Sequence, residues 1–291
     1  MTRSVLCVAL GAALACGGGA ASPGTPPAPA PVVSDRPAAP GARVPLLKLA
    51  PATMRYLVRQ DLNIEQDFAG LPPTMHVGYG LYVTAIVTGP ADTAGFLASF
   101  TVDSVLIDSG SQLPPQINLA GARGYRVTGR LSPSGEFKNP IPSDTMIAAT
   151  LGNLLPRFRS FFPRLPAGGV RPDTSWNDST TTTEGAGGST ITTHVQSRRS
   201  ATAWQDRNGI RALRIEVGAT YQFNGSGEQS GSAFTIDGSG TGNGVQYLAE
   251  DGRFLGGEAH DSTTMTIDLP LQGVTIPRRQ KSSTIVTALK P

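Results

Sequence analysis

From about residue 50 onward, apolar and polar residues alternate with a period of two, which predicts antiparallel strands with one buried face. The clearest case spans 211–223, where Leu213, Ile215, Val217, Ala219, Tyr221 and Phe223 oppose Arg214, Glu216, Gly218, Thr220 and Gln222. Residues 75–89 repeat it, with Val77, Tyr79, Leu81, Val83, Ala85 and Val87 against a partly polar face. Further strands are expected around 54–62, 98–110 and 124–131, with a short return through Phe137, and at 191–204, 232–236, 245–248, 254–267 and 283–289. Over 98–110 the alternation sets Phe100, Val102, Ser104 and Leu106 opposite Thr101, Asp103, Val105 and Ile107. The glycines of GSGTGNG, 238–244, read as a hairpin loop between two short strands.

The period changes once. Ser143 and Asp144 offer caps, and Ile147, Leu151, Leu154, Phe158, Phe161 and Phe162 recur three and four apart, predicting a helix over 143–163. Pro156 ends or kinks it near Leu155. Its apolar stripe either covers the sheet or lids a hydrophobic cavity. Residues 164–189 are dense in turn formers and read as a crossing loop, its Thr180–Thr183 run being loop or exposed hairpin strand. Trp176 needs a pocket there, and is expected to pin the crossing chain onto the sheet.

The expected fold is therefore mainly β: a curved antiparallel sheet or partial barrel built from two halves, 45–142 and 190–291, with one covering helix. A weak internal echo accompanies this order, since the turn at 130–137 resembles that at 247–254: a strand end, a glycine, then a returning phenylalanine.

Ahead of this body, residues 1–15 read as an export signal, with Arg3 before an apolar segment too short to span a membrane. Residues 16–44 are a Gly- and Pro-rich tether. Ala13-Leu14-Ala15-Cys16 resembles the recognition box of bacterial lipoproteins. The resemblance implies cleavage after Ala15, lipidation of Cys16 by acyl chains such as palmitate, and, through Gly17, an outer-membrane location facing the periplasm. The alternative is a secretory signal cut near Ala20 or Ala21. Cys7 and Cys16 are the only cysteines, so a lipidated chain has no disulfide and rests on its core.

A net charge of +3 with 15% charged residues is too weak a balance for nucleic-acid binding. The pairs Arg198/Arg199 and Arg278/Arg279 read as solvated strand faces or ends, or as a lipid head-group contact. Catalytic signatures are missing: there is no HExxH, GxSxG or GxGxxG, and His76, His194 and His260 stand far apart. Glu258 and His260 share one strand face with Asp261 on the other, which argues against a metal site, and the odd spacing of Asp103 and Asp108 puts them on opposite faces. No catalytic residue, metal or cofactor is expected.

The layout also resembles a family of uncharacterised bacterial lipoproteins with paired β-rich halves and a central segment, here Leu165-Pro166 through Gly168 to Trp176, although Asp173 stands near the family's glycine. More broadly it is similar to carrier lipoproteins and periplasmic chaperones whose curved sheet wraps a lipid-binding cavity. That resemblance implies carriage of a hydrophobic ligand. The residues for such a cavity are Tyr79, Val83, Phe100, Phe158, Phe161, Leu213, Ile215 and Tyr221, which would equally make a filled core. The competing expectation is an envelope protein-interaction or structural module presenting its sheet edges and the Thr-rich 174–193 segment.

Overall fold

The computed structural model describes residues 46–290 apart from 68–71, 93–94, 114–116, 152–153, 156–157, 187–188 and 230–231. The signal 1–15, Cys16 and the tether 16–44 lie outside the described residues.

Among the described residues, eleven antiparallel strands form one sheet: β1 (Ala52–Gln66), β2 (Thr74–Asp92), β3 (Gly95–Ile107), β4 (Arg126–Leu131), β5 (Phe137–Pro142), β6 (Thr174–Ala186), β7 (Ser189–Arg207), β8 (Ile210–Gln229), β9 (Ser232–Ala249), β10 (Phe254–Leu269) and β11 (Val274–Ala288). Their order is β5-β4-β3-β2-β1-β11-β10-β9-β8-β7-β6. Each half is a meander, and the first and last strands join them, in register from Tyr56 opposite Ala288 to Gln66 opposite Arg278.

The sheet is rolled. Laid flat, eleven strands would hold their outermost members about 48 Å apart at roughly 4.8 Å per neighbour. Yet the Arg164 guanidinium lies 3.9 Å from Glu136, in the turn into β5, and 3.4 Å from Asp178 on β6. One side chain thus clasps both edges of the sheet. Inside the roll, alternate residues of the strands are buried, and the outward residues are mostly polar, as with Glu216, Thr220 and Gln222 of β8. Among the described residues no helix is long and apolar enough to cross a membrane.

One end is sealed by backbone. The Leu49 N–H donates to Pro133 O (3.0 Å), the Ala50 N–H to Gly252 O (3.2 Å), and Leu47 bridges Val170. The echoing turns meet here with the same bonds: Ser132 N–H to Glu136 O and Gly135 N–H to Ser132 O in one, Ala249 N–H to Arg253 O and Gly252 N–H to Ala249 O in the other. Gly135 (φ 90°) and Gly252 (φ 83°) take a left-handed backbone, and a Cβ on either would strike a carbonyl, of Pro163 and of Lys48 respectively.

Four expectations are corrected. The helix over 143–163 is shorter: α1 (Thr145–Leu151), capped by Asp144 Oδ1 accepting from the N–H groups of Met146 and Ile147, and then a 3-10 turn at Phe158–Ser160. Gly152 and Pro156 are poor helix formers, so the apolar stripe is delivered by a turn rather than a rod. The crossing loop 164–189 contains β6, whose β-branched threonines suit an edge strand paired to β7 along its whole length.

The glycines at 238, 240, 242 and 244 form no hairpin loop, because they lie inside β9, all on its inward face. There a side chain would collide with β8 or β10: a Cβ on Gly238 meets the Phe223 ring, and one on Gly240 comes 2.6 Å from Ser262 O. The glycine stripe is what lets the sheet coil tightly. Finally, the register slips where Tyr82 faces Ser104 and Val83 faces Val102, leaving Asp103 in a bulge. This resets the alternation, so Asp103 and Asp108 share the outer face, near Arg55 (3.6 Å) and Arg59 (3.9 Å).

Candidate functional site

The interior is apolar at both ends and polar between. The larger cluster packs β1–β3 and parts of β7–β10 against the segment bearing α1 and the 3-10 turn. Phe100 stacks on Phe158 with centroids 4.6 Å apart and meets Phe161 at 5.2 Å; Phe161 in turn meets Tyr56 edge-on at 5.1 Å. The smaller cluster, at the opposite end, holds Tyr221, Phe223, Phe234, Ile236, Met265, Ile267, Leu269 and Ile276. Of the eight residues expected to line a cavity, Tyr79, Val83, Phe100, Phe158, Phe161, Leu213 and Ile215 come together in the larger cluster, while Tyr221 belongs to the smaller one.

Register places the polar band. Reading inward-facing residues across the sheet, Arg199 of β7 aligns with Val217, Gly244, Ala259, Thr284, Gln60 and Tyr79. The next rows carry Ser197, Asp261 and Ser282, then Thr263 and Gln280, then Thr193 and Arg278. Arg199 and Asp261 are each 5% exposed and Arg278 3%. Their neighbours Arg198 and Arg279 are exposed. Both arginine pairs were expected on solvated faces or ends. In a strand with one buried face, though, adjacent residues cannot both point outward, so one of each pair is turned in.

Asp261 is held by the Tyr221 hydroxyl, which donates to Oδ1 at 2.8 Å across the glycine strand, and by the Ser282 hydroxyl at 3.3 Å from Oδ2. The Tyr79 hydroxyl sits 2.6 Å from Gln60 Oε1 and 2.5 Å from Leu154 O, tying the aromatic segment to the sheet. Burial raises the pKa of Tyr79, and that of Tyr56 as well, so both stay protonated donors. Arg199 Nη1 donates to Gln246 Oε1 at 3.1 Å.

Other polar atoms of the band are unanswered. Nε of Arg199, Nε of Arg278 and the hydroxyls of Thr263 and Thr284 are buried with no hydrogen-bond partner among the described residues. Each such group costs on the order of 1–3 kcal/mol, so native interiors hold few of them. Desolvation lowers the Arg278 pKa to about 10, and it therefore remains a cation at neutral pH.

Outside the roll, a solvent-open groove of about 550 Å³ crosses β6–β8 beside Asn177, Gln196, Arg198 and Gly218. Trp176 lies on β6 and donates its indole N–H to Arg164 O at 3.2 Å, pinning that segment. Glu258 and His260 face outward with Asp261 inward, and no group of three metal-ligating residues occurs among the described residues. The polar band was missed because alternation was read for its apolar members alone; the doubled arginines inside strands were the signal available.

No family model matches the chain, and no curated protein does. Among solved structures it is similar to Pseudomonas aeruginosa OccK2 (OpdF), at 9% identity and a TM-score of 0.24, over 81% of this chain and 98% of that one. A likeness at that score carries no argument about fold or function.

Proposed function

We propose that the chain is an envelope lipoprotein, anchored through Cys16 and facing the periplasm, that carries a hydrophobic ligand inside its rolled sheet. The observation behind this reading is what covers the concave face. About eight strands already make an interior that side chains can fill, whereas eleven make a wider one that needs a filler. Here the filler is a short chain segment, through Phe158, Phe161 and Phe162, rather than a second sheet. It is tethered toward its ends, by Tyr79 to Leu154 O, by the Leu165 N–H to Ser134 O, and by Arg164 to Trp176, Glu136 and Asp178. A ligand that displaces those rings meets Tyr79, Val83, Phe100, Leu213 and Ile215 as an apolar wall.

Native mass spectrometry of the full chain, with lipid extraction, tests this. One lipid per chain, lost in a folded Val83→Trp variant, is expected; a ligand-free mass at every concentration of added lipid overturns it. Loss of metabolic palmitate labelling in Cys16→Ser tests the anchor.

A second reading has its own observation. β6 is a thirteen-residue edge strand beside the outer groove, and an open edge of that length can pair with a strand of an envelope protein. Cross-linking from β6 in cells, with no bound lipid, would favour it.

A further inference from the structure

We propose that Arg278 and Thr263 seat the oxyanion head of an amphiphile, so that the ligand is an acid rather than a neutral lipid. This rests on the reading that an amphiphile is carried inside the roll, and seats it against the smaller apolar cluster, at the end opposite the wall of Tyr79, Val83 and Phe100.

Arg278 lies on the inward face of β11, 3% exposed, and its Nε has no hydrogen-bond partner. Thr263 of β10 faces Gln280, the next inward residue on β11, so its unpartnered hydroxyl belongs to the diagonal neighbour of Arg278. An uncompensated guanidinium beside a buried hydroxyl in a low-dielectric interior suits one ligand class. A carboxylate or phosphate monoester accepts from the planar N–H fork and, in addition, from the threonine hydroxyl. The buried charge itself supports this, since desolvation depresses the Arg278 pKa with no carboxylate contributing to the shift. Next to Arg278 the interior turns apolar, with Met265 directly opposite and Phe223, Ile267 and Ile276 beyond, which places an alkyl chain on that side. Asp261 lies one row past Thr263 and is already occupied by Tyr221 and Ser282.

Isothermal titration of the full chain with octanoate, octyl phosphate, 1-octanol and inorganic phosphate tests the assignment. Arg278→Met is expected to weaken octanoate and octyl phosphate at least tenfold and leave 1-octanol unchanged, with Arg278→Lys intermediate. Thr263→Val, which keeps the shape and removes the hydroxyl, is expected to weaken both acids several-fold and serves should Arg278→Met not fold. If the acids bind wild type and Arg278→Met alike, the head-group seat is wrong while carriage stands. If no octyl compound binds wild type, the carriage reading itself fails. If inorganic phosphate binds as tightly as octyl phosphate and is lost in Arg278→Met, the site holds a free anion and the amphiphile is overturned.

Discussion

Replacing Arg278 by Met removes a buried charge while keeping an unbranched chain, and the structure sets the sign and size of the effect. The drop of the Arg278 pKa to about 10 corresponds to roughly 3 kcal/mol, at about 1.4 kcal/mol for each tenfold change in equilibrium constant. Because the folded-state value is the lower one, the unfolded chain binds the proton more strongly. The penalty is fully present below about pH 10 and is progressively relieved as pH rises above it. At pH 7 the ligand-free protein carries all of it. Replacing a buried charge with an apolar side chain is commonly neutral or stabilising by about 1–4 kcal/mol, so Arg278→Met should gain about 1–3 kcal/mol. At roughly 2–4 °C per kcal/mol for a body of this size, Tm rises by about 2–12 °C. Differential scanning calorimetry on delipidated protein at pH 7 measures it. A fall in Tm matching a loss of about 3–5 kcal/mol, as when a buried ion pair is broken, would refute the claim that the guanidinium is uncompensated.

The glycine turns separate backbone strain from crowding. Gly209 (φ 82°) has open space around it, so Gly209→Ala should lose about 1–2 kcal/mol in urea titration. Gly135→Ala and Gly252→Ala, whose Cβ atoms meet backbone, should lose about 1–3 kcal/mol more; equal losses at all three would contradict the sealed end. Phe161→Ala empties the ring cluster among Tyr56, Phe100 and Phe254 and should cost about 3–5 kcal/mol, read from the same titration. Arg164→Met removes a partly exposed clasp, so global stability should change by no more than about 1 kcal/mol. Amide exchange in β5 and β6 should nevertheless quicken relative to β1, and uniform exchange across the sheet would show that the edges are not held by Arg164.

Alternation made β2 and β10 readable to within a few residues, and β8 up to Phe223, six residues short of its end, because a period of two is a property of the strand alone. The echo between the two glycine turns was legible for the same local reason, since φ near 90° selects glycine wherever it occurs. Strand identity failed where a neighbour supplied the explanation. The β9 glycines look like a loop until Phe223 and β10 occupy the space their side chains would need, and the threonines of β6 look like a loop until β7 provides the pairing. The slip at Asp103 reversed a face assignment for a comparable reason, being set by the fit of β3 to β2.

The candidate site divides along the same line. Sequence by itself determined that Tyr79, Val83, Phe100, Leu213 and Ile215 share the apolar faces of their strands and that the fold is an antiparallel β-sheet. Only the tertiary structure decided that the inward arginines are Arg199 and Arg278, that they share a band with Asp261 and Thr263, and that Tyr221 stands apart from the other seven residues expected to line the cavity. The physical reason is range: side-chain direction follows from each strand's own pleat, whereas the rows across a rolled sheet follow from register among strands as much as 232 residues apart, as with Tyr56 and Ala288.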